Sequence, residues 1–263
     1  AYPQAHPQWN CLLKRMPWVT LDQLQEYALM RRFDTKYLVQ EAQLLPILEK
    51  LTGSYSVLEV NGVRLNPYHT TYYDTQDFLF FRQHHNGVRN RFKVRTRTYL
   101  STEDSFLEIK QRRDNNQIVK TRIPIDDFHK EKGDATRQFI HKNSPVSEDQ
   151  LEVKLNNRFF RFTLVNPTSV ERVTVDLGLT LFNQEEAVYL PGVAVVEVKQ
   201  AKLQDNTPLV EELRKAHLHP QGFSKYCIGV SLLEDHVKHN RFKKHLLQLN
   251  RMITGGNYNY GIS

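Results

Sequence analysis

Short segments of alternating apolar and polar residues fill the middle of the chain, from about residue 55 to residue 200. They are rich in β-branched and aromatic residues and are bounded by turn residues, which is typical of antiparallel strands. An Asp-Asn-Asn sequence at 114–116 predicts a hairpin turn. The spacing favours an antiparallel barrel or sandwich of about eight strands. The predicted strands span 55–61, 68–75, 88–99, 105–113, 117–125, 152–165, 169–177 and 193–200.

Helical spacing of apolar residues marks the flanking segments. Thr20 and Gln23 form a capping-box signature, which predicts a short helix and makes residues 1–29 an N-terminal helical extension. No linker is long or polar enough to mark a boundary, so residues 1–263 are expected to form one α+β domain. The other predicted elements are a strand at 30–39, helices at 40–51, 134–142 and 208–216, and a long C-terminal helix at 224–252.

Composition excludes several classes of protein. With 40% hydrophobic and 25% charged residues the chain is not a disordered one, and no apolar stretch is long enough to span a membrane. Two cysteines without metal-ligand spacing give no disulfide framework, so a reducing cytoplasmic location, including the inner face of a membrane, is expected. The chain does not begin with Met, and therefore a membrane anchor or membrane-protein partner outside it stays open, as does the oligomeric state.

The positive charge is concentrated in one region. Residues 82–122 contain eleven Lys or Arg and four acids, which equals the whole net charge of +7. On a strand of period two, the cations at odd positions share one face and the intervening residues share the other. The alternating cations are Arg89, Arg91, Lys93, Arg95 and Arg97, between Phe92, Val94, Thr96 and Thr98. Such a face is either solvated or built around a polyanion, which would relieve the repulsion between like charges.

A Glu-x-Lys pattern occurs in two of the predicted strands. Glu108 precedes Lys110 and Glu197 precedes Lys199, each pair within apolar neighbours. A carboxylate in a cationic cavity could ligate Mg²⁺ or Mn²⁺, ions that are often held by one or two carboxylates plus substrate phosphates. The alternative for Glu197 is an internal salt bridge.

Nine motifs, in order, resemble a known family. They are RFDTKYLV at 32–39, TYYDT at 71–75, RTRTY at 95–99, EIK at 108–110, VKTR at 119–122, NR at 157–158, RVTVD at 172–176, VEVK at 196–199 and FSKY at 223–226. Each motif alone is weak, but their order over residues 30–245 is specific. The chain resembles the VTC domain of polyphosphate polymerases, within the wider group of triphosphate tunnel enzymes.

The resemblance implies an antiparallel β-barrel enclosing a basic tunnel, with flanking helices. In that tunnel ATP and a Mn²⁺ or Mg²⁺ ion would bind, and the γ-phosphate would pass to a growing inorganic polyphosphate chain. The catalytic residues carried over are Lys36, Arg95, Arg97, Lys110 and Glu197, with Glu197 as the metal ligand. The substrate-binding residues carried over are Lys120, Arg122, Arg158, Arg172, Lys199, Ser224 and Lys225. The Glu-x-Glu-x-Lys pattern of the wider tunnel group is replaced by Arg32, Asp34 and Lys36.

Two other functions stay open from the sequence. A tunnel triphosphatase would hydrolyse tripolyphosphate or a nucleoside triphosphate, and a non-catalytic module would bind polyphosphate or another polyanion. Nucleic acid is not the expected partner, because strand platforms for it usually interleave exposed aromatic residues among the cations. Here Phe92 and Val94 belong to the opposite face of the strand.

Overall fold

One large sheet organises the chain. The computed structural model describes residues 7–26, 33–114, 117–126, 133–204 and 206–254. Eight of its strands follow the order β2-β11-β9-β8-β4-β5-β6-β7 and are antiparallel throughout. The strands are β1 (Trp18–Val19), β2 (Phe33–Gln40), β3 (Ser56–Leu58), β4 (Asn66–Asp74), β5 (Arg91–Tyr99), β6 (Asp104–Arg112), β7 (Ile118–Pro124), β8 (Glu152–Asn166), β9 (Glu171–Phe182), β10 (Ala187–Leu190) and β11 (Val193–Gln200).

The sheet curls but does not close. Among the described residues β2 and β7 are not paired with each other and form the two ends of the strand order. Lys36 on β2 and Lys93 on β5 nevertheless both donate to the segment at 223–224, so the two sides of the sheet curve towards one another across a concave surface. The predicted antiparallel architecture is confirmed, as a curled open sheet.

Several helices pack on the convex face. Trp9, Leu44 and Leu213 lie in one core with Val196 and Phe162 of the sheet. A second core joins Ile140 to residues of β5 and β6. The helices are α1 (Pro7–Arg15), α2 (Leu21–Glu26), α3 (Glu41–Lys50), α4 (Leu79–His85), α5 (Asp134–Asn143), α6 (Pro208–Lys215), α7 (Lys225–Leu233) and α8 (Lys243–Thr254). No helix among the described residues is long and apolar enough to cross a membrane.

Helix α7 lies on the concave side of the sheet. Its buried residues, including Cys227 and Ile228, join Leu155 of β8 and Val195 of β11 in a third core. The approach is close: a Cβ on Gly229 would be 2.4 Å from a Leu155 methyl carbon. Because α7 fills one part of the concave surface with apolar side chains, the remaining part is left to charged residues.

The predicted helix at 224–252 is wrong as a single element. It is divided into α7, a 3₁₀ turn at Asn240–Phe242, and α8. A continuous helix of that length would extend roughly 43 Å in one direction. The break lets Leu246 and Leu249 of α8 return to the same core as α7.

Other sequence predictions have mixed outcomes. The capping box is confirmed, since Gln23 N donates to Thr20 Oγ1 and Thr20 N donates to Gln23 Oε1. Arg89 precedes β5 instead of joining its charged face. Helices α1 and α4 and the short strands β1 and β10 were not predicted. Residues 1–6 and 27–32, and part of the turn at 114–116, are outside the described residues.

Candidate functional site

Strands β5, β6 and β7 present charged residues on the concave face in cross-strand rows. Directly opposite residues of antiparallel strands share a face, and successive rows are two residues, or about 7 Å, apart. The rows are Lys93–Lys110–Lys120, then Arg95–Glu108–Arg122, then Arg97–Phe106. These six cations, with Glu108, are called the basic wing. The alternating residue Val94 packs into the core on the opposite face, as its position predicted.

The row of three lysines is short of compensating charge. Burial, together with the charges of Lys36 and Lys93, lowers the pKa of Lys110 to about 7. Burial also lowers the pKa of Lys93 and that of Lys120 to about 8. Burial and neighbouring cations thus both disfavour the ammonium forms, and a bound anion would favour them.

Glu108 is the buried carboxylate of the basic wing. Its Oε2 accepts a hydrogen bond from Arg95 Nε at 2.7 Å, and it also pairs with Lys120. Burial would raise its pKa, but Arg95, Arg97 and Lys120 outweigh that effect and lower it to about 2. Glu108 is therefore ionised at any physiological pH and orients Arg95.

Among the residues that the structure describes, no carboxylate forms an ion pair with Arg97. Within the described residues its side chain donates to Thr70 Oγ1 at 3.3 Å and lies near the rings of Tyr68 and Phe159. Burial and the neighbouring Arg95 and Arg161 lower its pKa. A buried guanidinium without a facing carboxylate is costly for the fold, and a bound anion would offset that cost.

The opposite side of the concave face is built from matched charges. Arg161, Lys199 and Lys36 face Asp176 and Glu197, and these five residues are called the paired wing. Lys199 Nζ donates to Glu197 Oε2 at 2.5 Å, and Lys36 Nζ is 3.6 Å from Glu197 Oε1. Burial would raise the pKa of Glu197, but Lys199 and Lys36 hold it well below its usual value.

Asp176 forms the tightest cluster of the paired wing. Arg161 donates to it in a bidentate manner, with Nε to Oδ1 at 2.5 Å and Nη2 to Oδ2 at 2.8 Å. Lys225 also pairs with Asp176 and lies over the ring of Phe159. The two cations outweigh the effect of burial and hold the pKa of Asp176 far below its usual value.

The start of α7 connects the two wings. Ser224 is the N-cap, and its Oγ accepts hydrogen bonds from Cys227 N at 3.3 Å and from Lys93 Nζ at 2.8 Å. Lys225 reaches Asp176 on β9, and the carbonyl oxygen of Phe223 accepts from Lys36 Nζ at 3.3 Å. A helix N-terminus with cations on both sides is a favourable place for an anion.

Most of the predicted site residues share this concave surface. The structure brings together Lys36, Arg95, Arg97, Lys110, Lys120, Arg122, Glu197, Lys199, Ser224 and Lys225. Arg172 shares the face through its pairing with Lys199 but lies near the start of β9. The predictions of Lys36, Ser224 and Lys225 came from the resemblance, and no alternation of charge marks Ser224 or Lys225.

Arg158 is not part of this surface. It pairs with His69 and points to the convex side, where its guanidinium lies 5.0 Å from the Phe182 ring. Arg161 takes the concave position on the same strand and was missed. The signal that could have found it is Asp176, an acid within an apolar strand that required a cationic partner.

The concave surface could bind a divalent metal ion only with help from substrate phosphates. Among the described residues there is no cluster of three or more His, Cys, Asp or Glu that could hold an ion by itself. Glu197 offers a concave carboxylate, although both of its oxygens already face lysines. An ion would thus require phosphate oxygens as its remaining ligands, which is the usual arrangement for Mg²⁺ at phosphate sites.

Comparison with known proteins gives one strong match. A family model described as "VTC domain" matches residues 31–234. No curated protein sequence matches the chain significantly.

Several solved structures are similar in fold. One, from Vibrio parahaemolyticus and named a candidate adenylate cyclase, has 15% identity over 76% of this chain and 98% of its own, with a TM-score of 0.45. A similarly named Bacillus halodurans protein has 13% identity over 74% and 94%, with a TM-score of 0.46. A Hippeastrum protein named for a dominant triphosphatase activity has 12% identity over 76% and 97%, with a TM-score of 0.46. Similarity at this level carries no argument about chemistry.

Proposed function

Since the chain belongs to the VTC domain family, we propose that it is a polyphosphate polymerase that transfers the γ-phosphate of ATP to inorganic polyphosphate. One observation supports this above others. The basic wing gathers six cations around the single buried carboxylate Glu108, in the described part of a concave surface. Such an excess of positive charge on a concave surface is suited to a chain of phosphates.

Two groups of residues have different roles in the proposed reaction. Arg95 and Arg97 neutralise charge on the transferring phosphoryl group, and the lysine row with Ser224 and Lys225 orients the neighbouring phosphates. An oxygen of the acceptor's terminal phosphate attacks the γ-phosphorus, the bond from that phosphorus to the β–γ bridging oxygen breaks, and ADP leaves with the electron pair. The acceptor oxygen is already ionised near neutral pH, so no general base is required.

A divalent ion has a limited place in this proposal. Glu197 would hold Mn²⁺ or Mg²⁺ together with phosphate oxygens, and the ion would supply further neutralisation of phosphate charge. Replacing Glu197 by Gln is expected to weaken the metal dependence of turnover. Unchanged metal dependence in Glu197→Gln would show that this assignment is wrong.

The product distinguishes the proposal from its rivals. The protein is incubated with ATP and Mn²⁺, and the products are separated by gel electrophoresis. A ladder of long, acid-labile phosphate chains supports the polymerase. Stoichiometric orthophosphate alone would identify a triphosphatase, and binding without turnover would identify a polyphosphate-binding module. Tyr189→Leu, an exposed residue on β10, serves as the control variant.

A further inference from the structure

Aromatic residues line one end of the basic wing, on the same face as the cations. Tyr68 and Tyr99 have ring centroids 5.0 Å apart, and Tyr99 meets Phe106 edge to face at 5.9 Å. Phe106 lies directly opposite Arg97 on the neighbouring strand. Neither Tyr99 nor Phe106 belongs to the hydrophobic core clusters of the described residues, and both are only half-buried.

Arg122 lies closer to an aromatic ring than Arg97, the other cation of the wing with ring contacts in the described part of the chain. Its guanidinium carbon lies 4.4 Å from the centroid of the Phe106 ring, so the cation is stacked on an aromatic ring. The residue is exposed on β7, the last strand of the sheet. Its opposite partner Glu108 is engaged by Arg95 and Lys120. The outer side of the guanidinium plane is therefore accessible at the rim of the charged surface.

We infer that Arg122, backed by Phe106 and flanked by Tyr99, is the stacking platform for the base of the nucleoside triphosphate donor. Arginine planes and aromatic rings are the groups on which proteins stack unpaired bases. The platform lies beside Arg95 and Arg97, and the lysine row lies farther along the strands. A nucleotide whose base lies here would direct its phosphates across the strands from β7 towards Arg95 on β5, which is two strand spacings or about 10 Å away.

This inference rests on the proposed function and changes the role of one residue within it. The resemblance made Arg122 one more substrate-binding cation. On the platform its planarity matters more than its charge, because a lysine keeps the charge but cannot stack as a flat group. Stacking does not read base edges, and so purine nucleotides of different kinds are expected to bind alike.

The experiment compares two ligands in each variant. Isothermal titration calorimetry gives the Kd of a non-hydrolysable ATP analogue and the Kd of inorganic tripolyphosphate, which has no base. In the native protein the ATP analogue is expected to bind more tightly, by roughly five- to a hundredfold from stacking. The ratio of the two constants should fall towards one in Arg122→Lys and in Phe106→Leu. In Tyr189→Leu, the exposed aromatic control on β10, it should keep its native value.

The outcomes separate the two proposals. Arg122 is exposed, so Arg122→Lys tests the platform even if Phe106→Leu fails to fold. A native ratio in Arg122→Lys, or equal affinity of both ligands for the native protein, would overturn the base platform and leave the triphosphate site intact. Failure of both ligands to bind the native protein would overturn the proposed function itself.

Discussion

The basic wing and the paired wing share one concave surface but balance their charges differently. In the paired wing, Asp176 and Glu197 each contact two cations in a geometry that needs no ligand. In the basic wing six cations share the single carboxylate Glu108, and among the described residues no carboxylate faces the buried Arg97. The charges of the paired wing are thus balanced before the proposed metal ion and substrate bind, whereas the basic wing has an excess of cations that an added anion would balance.

The largest expected effect is on the paired wing. Arg161→Met leaves Asp176 buried with Lys225 as its remaining partner, so the free energy of unfolding should fall by about 3–5 kcal/mol. Urea unfolding followed by circular dichroism measures the change. A loss below about 1 kcal/mol would show that the pair is not structural.

The matched substitution in the basic wing, Arg97→Met, should not destabilise the protein. Arg97→Met removes a buried cation and strands no carboxylate, so the unfolding free energy is expected to stay equal or rise by about 1 kcal/mol. Turnover of ATP should nevertheless fall about 10²-fold or more, because a preorganised charge is lost. If Arg97→Met destabilised the protein as much as Arg161→Met, the proposed difference in charge balance between the two wings would be wrong.

A smaller effect is expected from pH. Lys110 has a pKa of about 7 in the free protein, and above that pH it loses its charge. Bound phosphate favours the ammonium form, so binding takes up a proton and affinity for tripolyphosphate falls from pH 7 to pH 9. The expected slope is at most about tenfold per pH unit for each lysine.

Calorimetry in buffers of different ionisation enthalpy measures this proton uptake. Lys110→Met should flatten the pH dependence, although Lys93 and Lys120, whose pKa values are about 8, will retain part of it. Proton release upon binding, or an affinity that is level from pH 7 to pH 9, would contradict the prediction.

The smallest effect is expected at the rim of the basic wing. The Lys120 side chain is 39% exposed. When Lys120 is replaced, its partner Glu108 still pairs with Arg95. Lys120→Met should change the unfolding free energy by less than about 1 kcal/mol and weaken tripolyphosphate binding only a few-fold. If Lys120→Met weakened function as much as Arg97→Met, the exposure of a cation would not determine the size of its contribution.

The positions of the β5 cations on the concave face were predictable from the alternation of charged and apolar residues along the strand. The odd-numbered cations of β5 lie on the concave face as expected, because each strand has a clear apolar face. Strand β8 has none: Asn156 and Asn157 are adjacent, as are Phe159 and Phe160, so period two fits either face. Pairing with β4 decides the orientation, and it selects Arg161 over Arg158.

The broken C-terminal helix had a different cause. Apolar residues recur at helical spacing on both sides of 234–242, and no Pro or Gly interrupts that segment. The break lets α8 turn back, so that Leu246 and Leu249 share the core of α7. Tertiary packing of this kind has no local signal in the sequence.

The pairing of β2 with β11 governs when the site can form. Lys36 and Glu197 are opposite one another on these strands but about 160 residues apart along the chain. At the usual rates of synthesis, roughly ten to thirty seconds separate the emergence of the first from that of the second. Until then β2 lacks its only neighbour in the described sheet, and α7 follows later still. The nascent protein therefore gains its phosphate-facing surface as one of the last events of folding, and any chain shortened before β11 is expected to lack it entirely.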